Sequence, residues 1–219
     1  MSEGRNQRTD IKYPDHNQNI LCDQDHFDMW TKMMEIELET DAGLSHDTLI
    51  VCNGKCANFF DKYDGMETKN GKLKVVYREN TGGSFGGYSY AYQNFKYKYY
   101  LFTEDDLFIL GENYLSDIKK WFDEADCGFL ALIGISNGVV YPPHAHGGIG
   151  FVPRYVLDKI AGNGELPYHH DLWCRPKAIR DGEVALSQKI IGAGFKLAYK
   201  GKEEWHLDNH IMPYYDLCI

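Results

Sequence analysis

Three acidic residues in a row, Glu104-Asp105-Asp106, close a short apolar segment and form the sharpest chemical cluster in the chain. Two carboxylates separated by one residue at a strand end aim at one hard divalent cation, with Mg2+ or Mn2+ the natural occupants. Such an ion holds a diphosphate and neutralises the charge that develops as it departs. A solvated acidic turn capping the next helix accounts for the triplet equally well. The run Arg78-Glu-Asn-Thr-Gly-Gly-Ser-Phe-Gly-Gly87 lies between an expected strand and an expected helix. Glycines there permit close backbone approach to a ligand, and a helix N-terminus favours anions. The run is neither GxGxxG nor a P-loop, and a flexible connection explains it too.

Glu183 stands at the start of the amphipathic stretch Glu-Val-Ala-Leu-Ser-Gln-Lys-Ile-Ile. A carboxylate there can take a proton from a hydroxyl. An acid in a first helical turn also gains about 0.3–1 kcal/mol from the helix dipole and needs no further purpose. The nine histidines include His144-Ala-His146, His169-His170, His206 and His210. His-x-His suits a metal held from alternate residues of a strand. Here it follows Pro142-Pro143, a poor strand context, so solvated loop histidines or substrate contacts fit better. A Ser-His-Asp hydrolase lacks its Gly-x-Ser-x-Gly turn.

These residues need elements to position them. Phe27, Trp30, Met34 and Leu38 recur at helical spacing and predict a helix over 25–40. Leu115, Ile118 and Phe122 predict another over 114–124, and shorter helices are expected at 57–63, 88–95, 154–160 and 181–191. Short apolar runs predict strands at 19–22, 48–52, 73–77, 99–102, 128–135 and 195–199. Alternating strands and helices imply an α/β fold around a mainly parallel sheet. Acidic, amide or glycine residues end three of the first four strands, and ligands of open α/β sheets bind outside those ends. Residues 1–18 read as a flexible tail, followed by one domain over 19–219.

The chain has 219 residues, enough for one sizeable domain. Hydrophobic residues at 43 % and charged residues at 25 % exclude wholesale disorder. No apolar run approaches the roughly 20 residues of a transmembrane helix, and Met1 to Gln18 lacks the apolar core of a secretory signal. A net charge of −9 argues against binding along a nucleic-acid backbone. Six scattered cysteines, without a CxxC pair and partly inside apolar runs, fit a reducing, cytoplasmic location.

Taken in order, the segments from about residue 19 to 210 resemble the inverting GT-A glycosyltransferases of the family 2 type. The strongest stretch runs from Leu73 to Ile109: a strand, Arg-Glu-Asn-Thr-Gly-Gly-Ser, a helix, then Tyr-Tyr-Leu-Phe-Thr-Glu-Asp-Asp. Glu104-Asp105-Asp106 stands where the family carries its DxD-like motif, with glutamate in place of the first aspartate. Asp181-Gly-Glu183 with Leu186-Ser187 and Gly192-Ala-Gly-Phe195 resembles the catalytic-base helix, again with glutamate for aspartate.

The resemblance implies a single Rossmann-like, mostly parallel sheet flanked by helices, with a nucleotide-sugar half at 19–110 and an acceptor half at 111–219. It further implies metal-dependent inverting transfer of a sugar from a nucleotide-diphosphate sugar to a hydroxyl of a glycan or glycoconjugate. Glu183 would be the base, and Glu104, Asp106 and His206 would hold Mn2+ or Mg2+. Asp23, Asp25, Asn53, Asn80, Gly82, Gly83 and Asp105 would line the donor pocket, with His144, His146 and Trp173 on the acceptor side. No nucleic-acid partner is expected, and membrane contact would be peripheral only. Three alternatives stay open: a non-catalytic nucleotide-sugar-binding module, a nucleotidyltransferase, and a histidine-ligated oxygenase.

Overall fold

A computed structural model describes residues 24–54, 58–105, 107–109, 111–136, 141–170, 177–199 and 211–213. The expected tail at 1–18 and strand at 19–22 lie outside them.

Helix α1 (Gln24–Glu39) turns Trp30 and Met34 inward at the predicted spacing. They meet Cys52 of β1 (Thr48–Asn53), Leu73 and Val75 of β2 (Leu73–Arg78), and Phe60 beside a short 3-10 turn at Asp61–Tyr63. Strands β1 and β2 pair in parallel from Thr48↔Leu73 to Asn53↔Arg78, so Asn53 and Arg78 end the two strands side by side. Cys52 is buried and packs as a small hydrophobe.

Helix α2 (Gly83–Asn94) precedes β3 (Tyr99–Phe102) and β4 (Leu107–Ile109), and α3 (Tyr114–Ala125) precedes β5 (Phe129–Ala131). A small hairpin, β6 (Ile135–Ser136) with β7 (His144–Ala145), leads to β8 (Gly150–Pro153) and α4 (Arg154–Ile160). A π-helical segment at Ala178–Val184 runs directly into α5 (Ala185–Gly192), then β9 (Leu197–Tyr199), with β10 (Ile211–Pro213) pairing with β4.

The chain is therefore α/β, but the described strands do not make a single parallel sheet. They form four small sheets, the largest in the order β3-β8-β5-β9. Within it β8 runs antiparallel to both neighbours, while β5 and β9 are parallel. Strand alternation divides the core across this sheet: Phe129 and Val152 face α2, α4 and α5, whereas Leu130 and Phe151 face Ile118 and Phe122 of α3. The long strand expected at 128–135 is interrupted between β5 and β6. A side chain at Gly134 would crowd the His146 ring, whose Cδ2 lies 3.2 Å from the Cβ position. Among the described residues, no helix is long and apolar enough to cross a membrane.

Candidate functional site

The chemistry-bearing residues gather where β1, β2 and β3 end and β8 begins. Asn53 and Arg78 close their strands, and the Arg78 guanidinium reaches Asn53 Oδ1 at 2.5 Å. It also donates to the Thr81 carbonyl at 2.9 Å and to Thr81 Oγ1 at 2.8 Å. Burial pulls the Arg78 pKa below its usual value, although nearby Tyr168, Glu79 and Tyr90 oppose the shift. Arg78 thus pins the glycine run, and Asn53 Nδ2 adds a bond to the Gly83 carbonyl at 3.1 Å. Each end of the Asn53 amide makes one bond within the protein, which orients it and leaves a second N–H and a second oxygen lone pair for further contacts.

The glycines are used for close packing as well as for turning. Gly82 sits at a φ of 77° and a Cβ there would collide with the Tyr168 ring. A Cβ on Gly86 would run into the Thr81 carbonyl. The helix starts at Gly83, five residues before the expected Tyr88, despite the low helix propensity of glycine. Beside them, the Oδ1 atom of Asn80 is buried with no hydrogen-bond partner among the described residues.

Glu104 follows β3, with a carboxylate oxygen 3.9 Å from where a Gly147 Cβ would sit. Asp105 is exposed and accepts a hydrogen bond from the Trp30 indole at 3.1 Å, which ties the acidic turn to α1. Asp23, Asp106, Trp173 and His206 lie outside the described residues. Asp25 lies in the first turn of α1 by its backbone.

Glu183 does not open a helix. It lies inside the π-helical segment that continues into α5, so the first-turn dipole does not explain it. π-Helical turns are rare and frequently mark functional sites. Gly182, just before it, and Gly148 both face the Phe85 ring, and a Cβ on either would strike that ring. Phe85 thus holds the Glu183 segment and the His146–Gly148 turn at a fixed separation.

His144 and His146 are brought to the same place. Despite the two prolines before it, His144 pairs with Ser136 as a strand residue. The prolines precede the strand and leave its ladder intact. His144 is 5 % exposed, His146 is exposed, and their ring centroids are 5.6 Å apart. The buried Ser187 hydroxyl accepts the Ala145 N–H at 3.0 Å, and the Gln188 amide donates to the Pro143 carbonyl at 2.8 Å. Ser187 stands four residues after Glu183, on the same helix face. One face of this helix therefore presents the carboxylate and also clamps the histidine strand. His144 Nε2 lies 3.9 Å from Glu183 Oε2. Among the described residues, one ligand atom from each of His144, His146 and Glu183 forms a group lying within 4.8 Å of one another.

Ser187→Ala is expected to cost about 1–3 kcal/mol, because it leaves the buried Ala145 N–H without an acceptor. Urea unfolding measures it, and a cost under about 0.5 kcal/mol would show that the amide finds another partner.

Sequence spacing did not reveal the Arg78 clamp, the Tyr168 cover or the Phe85 wedge. The glycine doublets were their one visible trace. No protein-family model matches this chain, and no curated protein matches it.

Proposed function

We propose that the protein is a metal-dependent inverting glycosyltransferase of GT-A type that moves a sugar from a nucleotide-diphosphate sugar to a hydroxyl acceptor. The observation that carries this reading is that Glu104 and Glu183 flank the same His146–Gly148 turn. On this reading one acid serves the donor's diphosphate and the other an attacking hydroxyl, beside the same turn.

On this reading the donor lies along the ends of β1, β2 and β3, where Asn80 Oδ1 is a buried acceptor waiting for a base N–H or a ribose hydroxyl. Glu104 supplies the hard oxygen donors that Mn2+ or Mg2+ prefers, with Asp106 and His206 as the further ligands that the resemblance implies. When bound, such an ion offsets the charge of the departing diphosphate. Glu183 accepts the proton of the acceptor hydroxyl as its oxygen bonds to the anomeric carbon. The bond from that carbon to the diphosphate oxygen breaks in line, leaves its electron pair on the phosphate and inverts the centre. The nearby His144 and His146 would face the acceptor. A single sheet of GT-A type would need the strand expected at 19–22 to join the β1–β2 pair to β3.

Asn80→Ala tests the donor side. It is expected to weaken Mn2+-dependent binding of the matching nucleoside diphosphate by about tenfold or more, from loss of one buried hydrogen bond. Its stability should hold or rise, since a buried oxygen without a partner is removed. Calorimetric titration of both proteins measures this, and an unchanged affinity would remove Asn80 from the pocket.

A further inference from the structure

The histidine strand and the Glu183 helix carry a second possibility that does not depend on a sugar donor. His144 Nδ1 lies 2.8 Å from the Pro142 carbonyl oxygen. A carbonyl can only accept, so Nδ1 carries the proton, and in the neutral ring Nε2 presents its lone pair. That lone pair faces the Glu183 carboxylate at 3.9 Å. Two electron-rich atoms thus confront each other across a gap too long for a direct hydrogen bond and suited to a cation.

A borderline transition-metal ion fits the gap. Bonds to an imidazole nitrogen and a carboxylate oxygen, each about 2.0–2.2 Å, together exceed the separation and bend comfortably to span it. The His144 bond to a backbone carbonyl is the outer contact that fixes the tautomer of metal-binding histidines. Ser187 and Gln188 lock the backbone on either side of His144, so the pair is held before any ion arrives. His146 is exposed at the third corner, where its ring can swing the remaining distance and where solvent gives an ion access.

We infer that His144, His146 and Glu183 bind one borderline divalent transition-metal ion, Zn2+ foremost. Two imidazoles and one carboxylate select Zn2+, Co2+ or Ni2+ over Mg2+ and Ca2+, which favour all-oxygen shells. Three protein ligands leave at least one position open to water or another ligand. The site is distinct from the Glu104 position. A Glu183 oxygen bound to the ion is not free to accept a proton, so ion binding and the base role exclude each other at that atom.

The test uses the full chain without an affinity tag, stripped with a chelator and desalted. Co2+ is titrated against visible absorption, and Zn2+ is measured by competition with a chromophoric chelator. The expected result is one equivalent of Co2+ with a spectrum of nitrogen and oxygen ligands, displaced by Zn2+ and not by Mg2+. His146→Ala and Glu183→Gln should each weaken Zn2+ binding by more than the 10- to 100-fold typical of losing an outer contact. Both positions are less enclosed than His144, and circular dichroism verifies that each variant is folded. Wild-type affinity in either folded variant, thiolate-to-cobalt charge-transfer bands, or no binding by the stripped protein would each overturn the assignment. These readouts involve no nucleotide, so the metal site and the transfer reading fail separately.

Discussion

Glu183→Gln is expected to lower kcat for sugar transfer by about 10^2- to 10^4-fold, the usual contribution of a positioned general base. Donor affinity should stay within roughly threefold of wild type, because the amide keeps the shape of the carboxylate and loses only its capacity to take a proton. Glu183 sits where Gly182 lets the segment close onto Phe85, so an isosteric change leaves that packing untouched. Steady-state kinetics with a matched donor and acceptor, beside calorimetric donor binding, separate the two quantities. Equal loss of affinity and turnover would make Glu183 a binding residue, and an unchanged kcat would remove it from the chemistry. A wild-type protein that binds donor without turning it over would instead favour the non-catalytic module.

Phe85→Ala should produce the largest loss of stability, about 3–5 kcal/mol. Phe85 is 5 % exposed, lies edge-on to Tyr88 at 5.4 Å and fills the space left by Gly148 and Gly182. Removing the ring leaves a cavity beside Gly148 and Gly182, which have no side chains with which to close it. At about 2–4 °C per kcal/mol for a chain of this length, calorimetry should show Tm falling by roughly 6–20 °C. A loss under about 1 kcal/mol would mean that the segments collapse onto each other and that the ring is not what separates them.

Much of this fold is legible residue by residue. The 3.6-residue recurrence of Leu115, Ile118 and Phe122 predicts the buried stripe of α3, and the run at 154–160 coincides with α4. The runs at 48–52 and 73–77 read as short strands because β-branched residues stand between polar stops, and each strand extends one residue further in the structure. Strand direction is not legible in the same way. Gly150–Pro153 lies antiparallel between β3 and β5, and nothing in its own four residues encodes that pairing. The early start of α2 is hidden for a related reason: its first turn is glycine-rich, and the ring that packs against Gly82 is Tyr168, from a distant segment.

The candidate site divides along the same line. Glu183, His144 and His146 each stand out by residue type, but their meeting is a tertiary event across about forty residues of chain. The one local trace is Ser187, whose place four residues after Glu183 puts a hydroxyl and a carboxylate on one face. Asn53 shows another side of this. Its strand-end position is legible, whereas its bond from Arg78 comes from the parallel register of two strands twenty-five residues apart.

The proposed function requires that this site receive a nucleotide-diphosphate sugar together with a divalent ion. The most direct measurement is the melting temperature of the full chain with UDP-, GDP- and dTDP-sugars, each with and without Mn2+. A ligand present at 100 times its Kd adds about 2.7 kcal/mol. For a chain of this length that is a rise of about 5–10 °C. Such a rise is expected with one nucleotide class, and only when Mn2+ is present. No rise with any of the three classes in the presence of Mn2+ would contradict it.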